Sequence, residues 1–189
     1  MVRAAPCARG DVATATGAPL PLPAPLIVTA ELPAELQSLA DRLRREHYPP
    51  ERNQLPAHVT LFHALPPSCE AELRDALGAM ARNTPPPPAR LLGVMSLGNG
   101  TALRLASPVL LALRQDLAER FHGLLSAQDD HPPRLHVTIQ NKVAPREAKA
   151  LFDRLNRDFR PRPLAIHGLA LHRYLGGPWE TLGKWAFRA

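Results

Sequence analysis

Cysteine is scarce in this chain, and long apolar runs are missing. The 189 residues include only 2 cysteines, Cys7 and Cys69, which are too few for a disulfide framework or a CxxC metal site. No apolar run approaches the roughly 18 residues that are needed to cross a bilayer. The first residues include Arg3 but lack the continuous apolar segment of a secretory signal. We therefore expect a cytoplasmic protein.

Acidic residues are fewer than basic ones in this chain. The chain has 23 Lys and Arg against 17 Asp and Glu, for a formal net charge of +6. A positive excess favours anionic partners such as RNA and nucleotides. The same balance also fits a merely solvated Arg-rich surface, so charge alone leaves both interpretations open.

Proline and glycine divide the chain into a tail and a folded part. Residues 1–24 are rich in Ala, Pro, Gly and Thr without periodicity, which predicts a disordered N-terminal tail. We expect residues 25–189 to form one domain. Its first half reads as strand 26–32, helix 33–47, strand 58–65, helix 69–82 and a hairpin around Gly98-Asn99-Gly100.

The second half of this domain repeats the same order of elements. It reads as helix 108–126, strand 134–143, helix 145–158 and a hairpin over 163–187 around Gly176-Gly177-Pro178. Residues 101–106 supply the opening strand of this half. The repeat indicates an internal duplication and an α+β fold of two similar lobes.

One tetrapeptide occurs twice, in corresponding strands of the two halves. Residues 58–61 read HVTL and residues 136–139 read HVTI. Because side chains alternate across a strand, His and Thr share one face while the two aliphatic residues share the other. The same rule adds further residues to the polar faces: Phe62 in the first copy, and Gln140 and Lys142 in the second.

The chemistry of this pair suits a phosphodiester. Histidine, with an ordinary pKa of about 6.5, gives or takes a proton near neutrality. In-line attack at phosphorus needs a base and an acid on opposite sides, which His58 and His136 can supply if the two polar faces meet across a cleft. The hydroxyls of Thr60 and Thr138 can donate to the non-bridging oxygens. Such a site needs no metal.

A plainer interpretation makes both histidines half-buried strand residues, with threonine present for its β-propensity. A single HxT would mean little in a chain with 8 histidines. Two copies at matching places in a duplicated pattern favour the catalytic interpretation.

The two motifs resemble the paired H-x-[ST]-x signatures of the two-histidine (2H) phosphoesterase superfamily, which includes 2′-5′ RNA ligase-like proteins and RNA 2′,3′-cyclic phosphodiesterases. The similarity covers roughly residues 25–188. The segments PPERNQLPAHVTLFHAL, HVTIQNKV and RYLGGPWE are similar to bacterial members of the 2′-5′ RNA ligase-like group.

The resemblance implies an α+β fold with two pseudo-symmetric lobes of antiparallel sheet plus helices around a central cleft. It implies a metal-independent phosphodiesterase acting on RNA or nucleotide 2′,3′-cyclic phosphates, with 2′-5′ ligation as the reverse reaction. His58 and His136 are then the catalytic residues, and Thr60 and Thr138 bind phosphate. We take His58 as the acid and His136 as the base. We expect a monomer without cofactor, metal or membrane partner.

Two rival functions are a non-catalytic RNA- or nucleotide-binding module of the same fold and a metal hydrolase. Asp129, Asp130 and His131 offer the latter some ligands, but their position before two prolines favours an exposed loop.

Several further residues are candidates for substrate binding. Phe62 could stack on a base or belong to the core. Gln140 extends the polar face of the second motif, and Lys142 could attract phosphate or be solvated at the strand end. Arg173, Tyr174 and Trp179 flank the last hairpin, and one of them could line the cleft, although an aromatic there also fits packing of the hairpin. Of the three, Tyr174 is our candidate for substrate binding. The other histidines, including His63 on the opposite face from His58, are predicted to lie outside the site.

Overall fold

The computed structural model describes residues 24–189, so the predicted tail lies outside the described residues except for Ala24. The described part contains eight strands and four α-helices. In chain order they are β1 (Leu26–Glu31), α1 (Ala34–His47), β2 (Val59–Leu65), α2 (Glu70–Asn83), β3 (Pro88–Ser96), β4 (Thr101–Ala106), α3 (Pro108–Arg120), β5 (His136–Gln140), α4 (Pro145–Arg157), β6 (Arg162–Ala165), β7 (Gly168–Tyr174) and β8 (Trp179–Ala186).

The strands form two antiparallel sheets of four. Sheet A has the order β2-β1-β7-β8, and sheet B has the order β5-β4-β3-β6. Every pairing within them is antiparallel. Strand β2 begins within the first HVT motif, and strand β5 contains the second. Both are edge strands, and they contact each other. This arrangement confirms the predicted α+β fold with two pseudo-symmetric lobes.

Each sheet mixes strands from both halves of the chain. Strand β3 of the first half pairs with β4 in sheet B, while β7 of the second half pairs with β1 in sheet A. Burial follows the predicted periodicities: the apolar stripe of α1 (Leu36, Ala40, Leu43) lies in the core, as does that of α2 (Leu73, Leu77). The exchange of strands makes the two lobes share one hydrophobic core.

Three boundaries differ from the prediction. Helix α3 ends at Arg120 rather than near residue 126, and the chain then turns through Gly123 in a left-handed conformation, with φ of 81°. Strand β5 ends at Gln140, because Lys142 also has a left-handed φ of 61° and cannot continue a strand. The start of the predicted last hairpin is a separate strand, β6, which pairs with β3 in sheet B.

Helix α3 begins where local chemistry predicts. Ser107 precedes the helix, and its hydroxyl accepts a hydrogen bond from the amide of Leu110 at 3.2 Å. Pro108 occupies the first helical turn, where its missing N–H costs no hydrogen bond. In the described part of the chain, no helix is both long and apolar enough to cross a membrane.

Candidate active site

The two motif histidines make the same main-chain contact. His58 Nδ1 lies 2.8 Å from the carbonyl oxygen of Pro56, and His136 Nδ1 lies 2.6 Å from that of Arg134. Because a carbonyl oxygen only accepts, Nδ1 must carry the hydrogen in both rings. Each Nε2 therefore keeps its lone pair when the ring is neutral, ready to exchange a proton.

Each motif strand bulges at the same place. Thr60 lies opposite Thr29, but Phe62, two residues on, lies opposite Val28, the direct neighbour of Thr29. The second motif strand has the same irregularity. Thr138 pairs with Ala102, and the register between the two strands shifts directly after this pair. A bulge places two residues opposite one and interrupts the alternation of faces. The shift therefore follows the threonine in both copies.

This bulge overturns two sequence predictions. Phe62 has 0% exposure and lies in the core, where the Arg114 guanidinium carbon stands 4.5 Å from its ring centroid. Gln140 is 2% exposed and donates a hydrogen bond to Glu147 at 3.2 Å. Strict alternation put both side chains on the His–Thr face, and the extra residue turned them inward. Neither lines the cleft.

The two remaining candidates are exposed at strand ends. Lys142 lies beyond β5 in a turn, so it does not extend the polar face of that strand. Tyr174, at the end of β7, is 40% exposed and pairs with Trp179 across the last hairpin.

Sheet A adds an aromatic and a third histidine next to His58. The Trp179 ring centroid lies 4.8 Å from that of His58 and 5.3 Å from that of His172. His172 hydrogen-bonds with the hydroxyls of Thr29 at 3.0 Å and Thr181 at 3.1 Å. The sequence pattern predicts that His172 lies outside the site, whereas the structure puts it beside the same tryptophan as His58. Alternation along β7 groups it with Ala170, but only the pairing of β7 with β1 shows that this face meets His58.

A cavity of about 560 Å³ opens on this face of sheet A. Its walls come from β1, β7, β8, the first turns of α1 and the loop that leads to His58. Its polar lining includes Glu31, Gln37, Asp41 and Lys184, and Trp179 forms an aromatic wall. The cavity is large enough for a small organic ligand.

Burial governs the protonation of His58. It lowers the pKa of this imidazole to about 4, while the hydrogen bond to Pro56 acts in the opposite direction. Positive charge on Arg44, His172 and His136 lowers the pKa further. His58 is therefore neutral at pH 7, and the two motif histidines lie within electrostatic reach of each other.

A buried arginine joins the two halves beneath the site. Arg44 of α1 is 5% exposed. Its Nη1 donates to the carbonyl oxygen of Thr138 at 2.8 Å, its Nε donates to Asn53 at 3.1 Å, and the guanidinium stacks on the Tyr48 ring at 4.4 Å. The sequence offered no signal for this contact, because a cation on an amphipathic helix is usually solvated.

The prediction that Asp129 lies in an exposed loop is wrong. It is 2% exposed, and its carboxylate accepts hydrogen bonds from the amides of His63 and Ala64, from His63 Nδ1 and from the Ser126 hydroxyl, at 2.9 to 3.0 Å. Burial alone would raise the pKa of Asp129, but these donors lower it to about 2. The carboxylate thus secures β2 just beyond the bulge. Within residues 24–189, no three His, Cys, Asp or Glu side chains form a group that could hold a metal.

The fold has counterparts in known structures. The chain matches a Thermus thermophilus protein, TT0787, at 20% identity with a TM-score of 0.61, covering 87% of this chain and 98% of that one. Escherichia coli LigT complexed with 3′-AMP matches at 20% identity with a TM-score of 0.57, covering 88% and 99%. A structure described only as a phosphoesterase matches at 22% identity with a TM-score of 0.54, covering 88% and 99%. These likenesses establish the fold.

The family follows from sequence. No curated protein matches the chain significantly, but residues 32–178 match the family model described as the 2′-5′ RNA ligase superfamily. That match covers well over half of the chain and both HVT motifs, and it agrees with the structural neighbours, which are 2H phosphoesterases. The chain therefore belongs to the 2′-5′ RNA ligase superfamily, within the 2H phosphoesterases.

Proposed function

We propose that this protein is a metal-independent phosphodiesterase that opens 2′,3′-cyclic phosphates at the ends of RNA or nucleotides with water, and that forms a 2′-5′ linkage when the 5′-hydroxyl of a second strand takes the place of water. One observation carries the proposal: two histidines from matching edge strands hold the same tautomer through the same main-chain contact. If the two histidines only packed in the core, nothing would require both of them to keep Nε2 available for proton transfer. LigT structures with 3′-AMP and ATP support a nucleotide as ligand.

The reaction needs one proton taken and one given. One imidazole Nε2 removes a proton from water as its oxygen attacks phosphorus, and the other imidazolium donates its proton to the ribose oxygen that leaves. Thr60 and Thr138 donate to the non-bridging oxygens, where charge accumulates. The product is a phosphate monoester, and the two histidines have exchanged protonation states.

We assign His58 the base in hydrolysis and His136 the acid, the reverse of our assignment from the sequence. Burial keeps His58 neutral in the unliganded enzyme, and a neutral ring can accept the proton from water without prior deprotonation. The pH dependence of kcat/KM tests this. We expect the acid side of the profile to fall with an apparent pKa near 4, and the H58N variant, which has no titrating ring there, to lose that limb with most of its activity. A profile that declines with rising pH through this range would make His58 the acid.

The cavity of sheet A is the proposed nucleoside site. Trp179 offers a ring face on which a base can stack, and Gln37, Gln54 and Asp41 supply hydrogen-bonding groups around it. The sequence left open whether Phe62 stacks on a base; we assign that role to Trp179 instead.

The decisive experiment measures product formation from a panel of nucleoside 2′,3′-cyclic phosphates, RNA with a cyclic end and 2′-5′-linked dinucleotides. We expect turnover by the wild type in the presence of EDTA, and losses of at least about a hundredfold in H58A and H136A. H122A, which removes an exposed histidine after α3, is the matched control and should keep full activity.

Two outcomes would contradict the proposal. Binding of these compounds without turnover by any of them would favour the non-catalytic module. Activity that EDTA abolishes and Zn²⁺ or Mg²⁺ restores would favour the metal hydrolase.

A further inference from the structure

The cleft face of sheet B has a row of arginines that starts beside His136. Paired residues of neighbouring strands lie on the same face of a sheet, and Arg104 of β4 pairs directly with His136. Arg90 of β3 pairs with Ala106, two residues after Arg104, so it also shares this face. Both arginine side chains are exposed. On this face Arg104 lies one strand and Arg90 two strands away from the strand of His136, and neighbouring strands are about 4.8 Å apart.

The equivalent positions of sheet A have a different charge. Ala30 pairs with Val59, and extending that register by one residue puts Glu31 opposite His58, as Arg104 is opposite His136. Glu31 forms an ion pair with Lys184 of β8. Within residues 24–189, neither Arg90 nor Arg104 has a carboxylate at ion-pair distance. The charges of sheet A compensate each other, whereas the arginines of sheet B face the cleft uncompensated.

Space is available next to these arginines. Gly93 of β3 lies opposite Arg104, and a Cβ built at Gly93 would meet no atom within 4 Å. The missing side chain leaves the surface between Arg104 and the outer strands open.

We propose that Arg104 and Arg90 bind the phosphates that adjoin the reacting one, so that the substrate is an oligonucleotide rather than a free nucleoside cyclic phosphate. This inference rests on the proposed function. The reacting phosphate lies between the histidines, the terminal base occupies the cavity of sheet A, and the preceding nucleotides run over sheet B. Arginine suits this task because its guanidinium presents several N–H donors to phosphate oxygens.

The test compares one short and one longer substrate. We would measure kcat/KM for a nucleoside 2′,3′-cyclic monophosphate and for a trinucleotide ending in the same group, with the wild type, R104A, R90A and R104E. We expect R104A and R90A each to lose roughly fivefold on the trinucleotide and less than about twofold on the mononucleotide. R104E, which gives sheet B the charge of Glu31, should lose the most. The control is R157A, which removes an exposed arginine of α4, the helix that packs on sheet B.

Salt and binding supply independent readouts. Removing one arginine that binds a phosphate should lower the slope of log K against log salt by about 0.7 for a single strand, measured by fluorescence anisotropy of a labelled trinucleotide on each variant. This measurement needs no turnover, so it separates the inference from the proposed function. If the wild type binds the trinucleotide without turnover, only the proposed function is contradicted. The affinities and salt slopes of the arginine variants then still test the inference.

Equal losses on both substrates would overturn the inference, because Arg104 would then act on the reacting phosphate. Unchanged affinity and salt slope in R104A and R90A would overturn it as well. A third arm uses a nucleoside cyclic phosphate that also has a 5′-phosphate. If this compound were as sensitive to R104A and R90A as the trinucleotide, the substrate would be a small nucleotide with two phosphates and the assignment to oligonucleotides would be wrong.

Discussion

The two halves of the cleft share their backbone and differ in their surroundings. Both present a histidine held by the carbonyl two residues earlier, a half-buried threonine and a bulge that follows it. Around His58, however, sheet A supplies Trp179, His172 and a cavity, while beside His136 sheet B supplies exposed arginine. Under the proposed function, the duplicated backbone sets the chemistry of proton transfer, and the unequal walls set what the cleft can bind.

The far ends of the two motif strands are also secured by different means. A buried carboxylate, Asp129, accepts the amides at the end of β2. The end of β5 is held instead by the Gly98-Asn99-Gly100 turn, where the Asn99 carbonyl accepts the amide of Val143 at 3.1 Å. Gly100 approaches the Gln140 carbonyl so closely that a Cβ would collide with it. The same bulge can therefore be maintained by side-chain or by main-chain contacts.

The largest expected effect tests whether Thr60 and Thr138 contribute equally to kcat/KM. We expect T60V and T138V each to lower kcat/KM by about a hundredfold, because each removes one hydroxyl donor to the reacting phosphate. T60S and T138S keep the donor and should retain most of the activity. Steady-state kinetics on one cyclic phosphate would check this. A large loss in only one of the two valine variants would show that the halves contribute unequally to the chemistry.

The second prediction concerns the fixed end of β2. D129A should lower the free energy of unfolding by about 2–3 kcal/mol, because it removes the buried carboxylate that accepts the amides of His63 and Ala64 and the Ser126 hydroxyl. The neighbouring D130A removes an exposed carboxylate and should change stability by less than about 0.5 kcal/mol. Denaturant unfolding measures both. If the two variants proved equally stable, Asp129 would not be what secures the first half.

The third prediction concerns the aromatic wall of sheet A. W179A should raise KM by about tenfold for a nucleoside cyclic phosphate, since a stacked base contributes roughly 1–3 kcal/mol. Y174A, which removes the more exposed aromatic ring of the Tyr174–Trp179 pair, should raise KM less than about threefold. A larger effect of Y174A than of W179A would place the base outside the cavity.

The last prediction concerns acid stability. The pKa of His58 is about 4 in the folded protein against 6.5 ordinarily, so the unfolded chain binds this proton more readily between these values. Stability is therefore lost as the pH falls from 6.5 towards 4. Thermal unfolding across that range should show a shallower decline for H58N than for the wild type. Parallel curves for the two proteins would mean that folding does not lower the pKa of His58.

Most of the helices and strands could be predicted because their signals are local. The apolar periodicity of α1 and α2 and the proline at the start of α4 fixed those elements to within a residue or two. The ends of α3 and β5 were predicted too late, because Gly123 and Lys142 take left-handed backbone conformations that composition alone does not reveal. Phe62 and Gln140 were misplaced because alternation was extended past bulges that arise from pairing with another strand.

The sequence by itself determined the duplicated elements and the two HVT motifs, since periodicity and spacing act over a few residues. Only the tertiary structure decided which side chains surround the reacting pair. Arg44, Asp129, His172 and Trp179 meet their partners across strands and helices that are far apart in the chain. The physical reason is that burial and hydrogen bonding depend on three-dimensional neighbours, which the exchange of β3 and β7 between the sheets brings together.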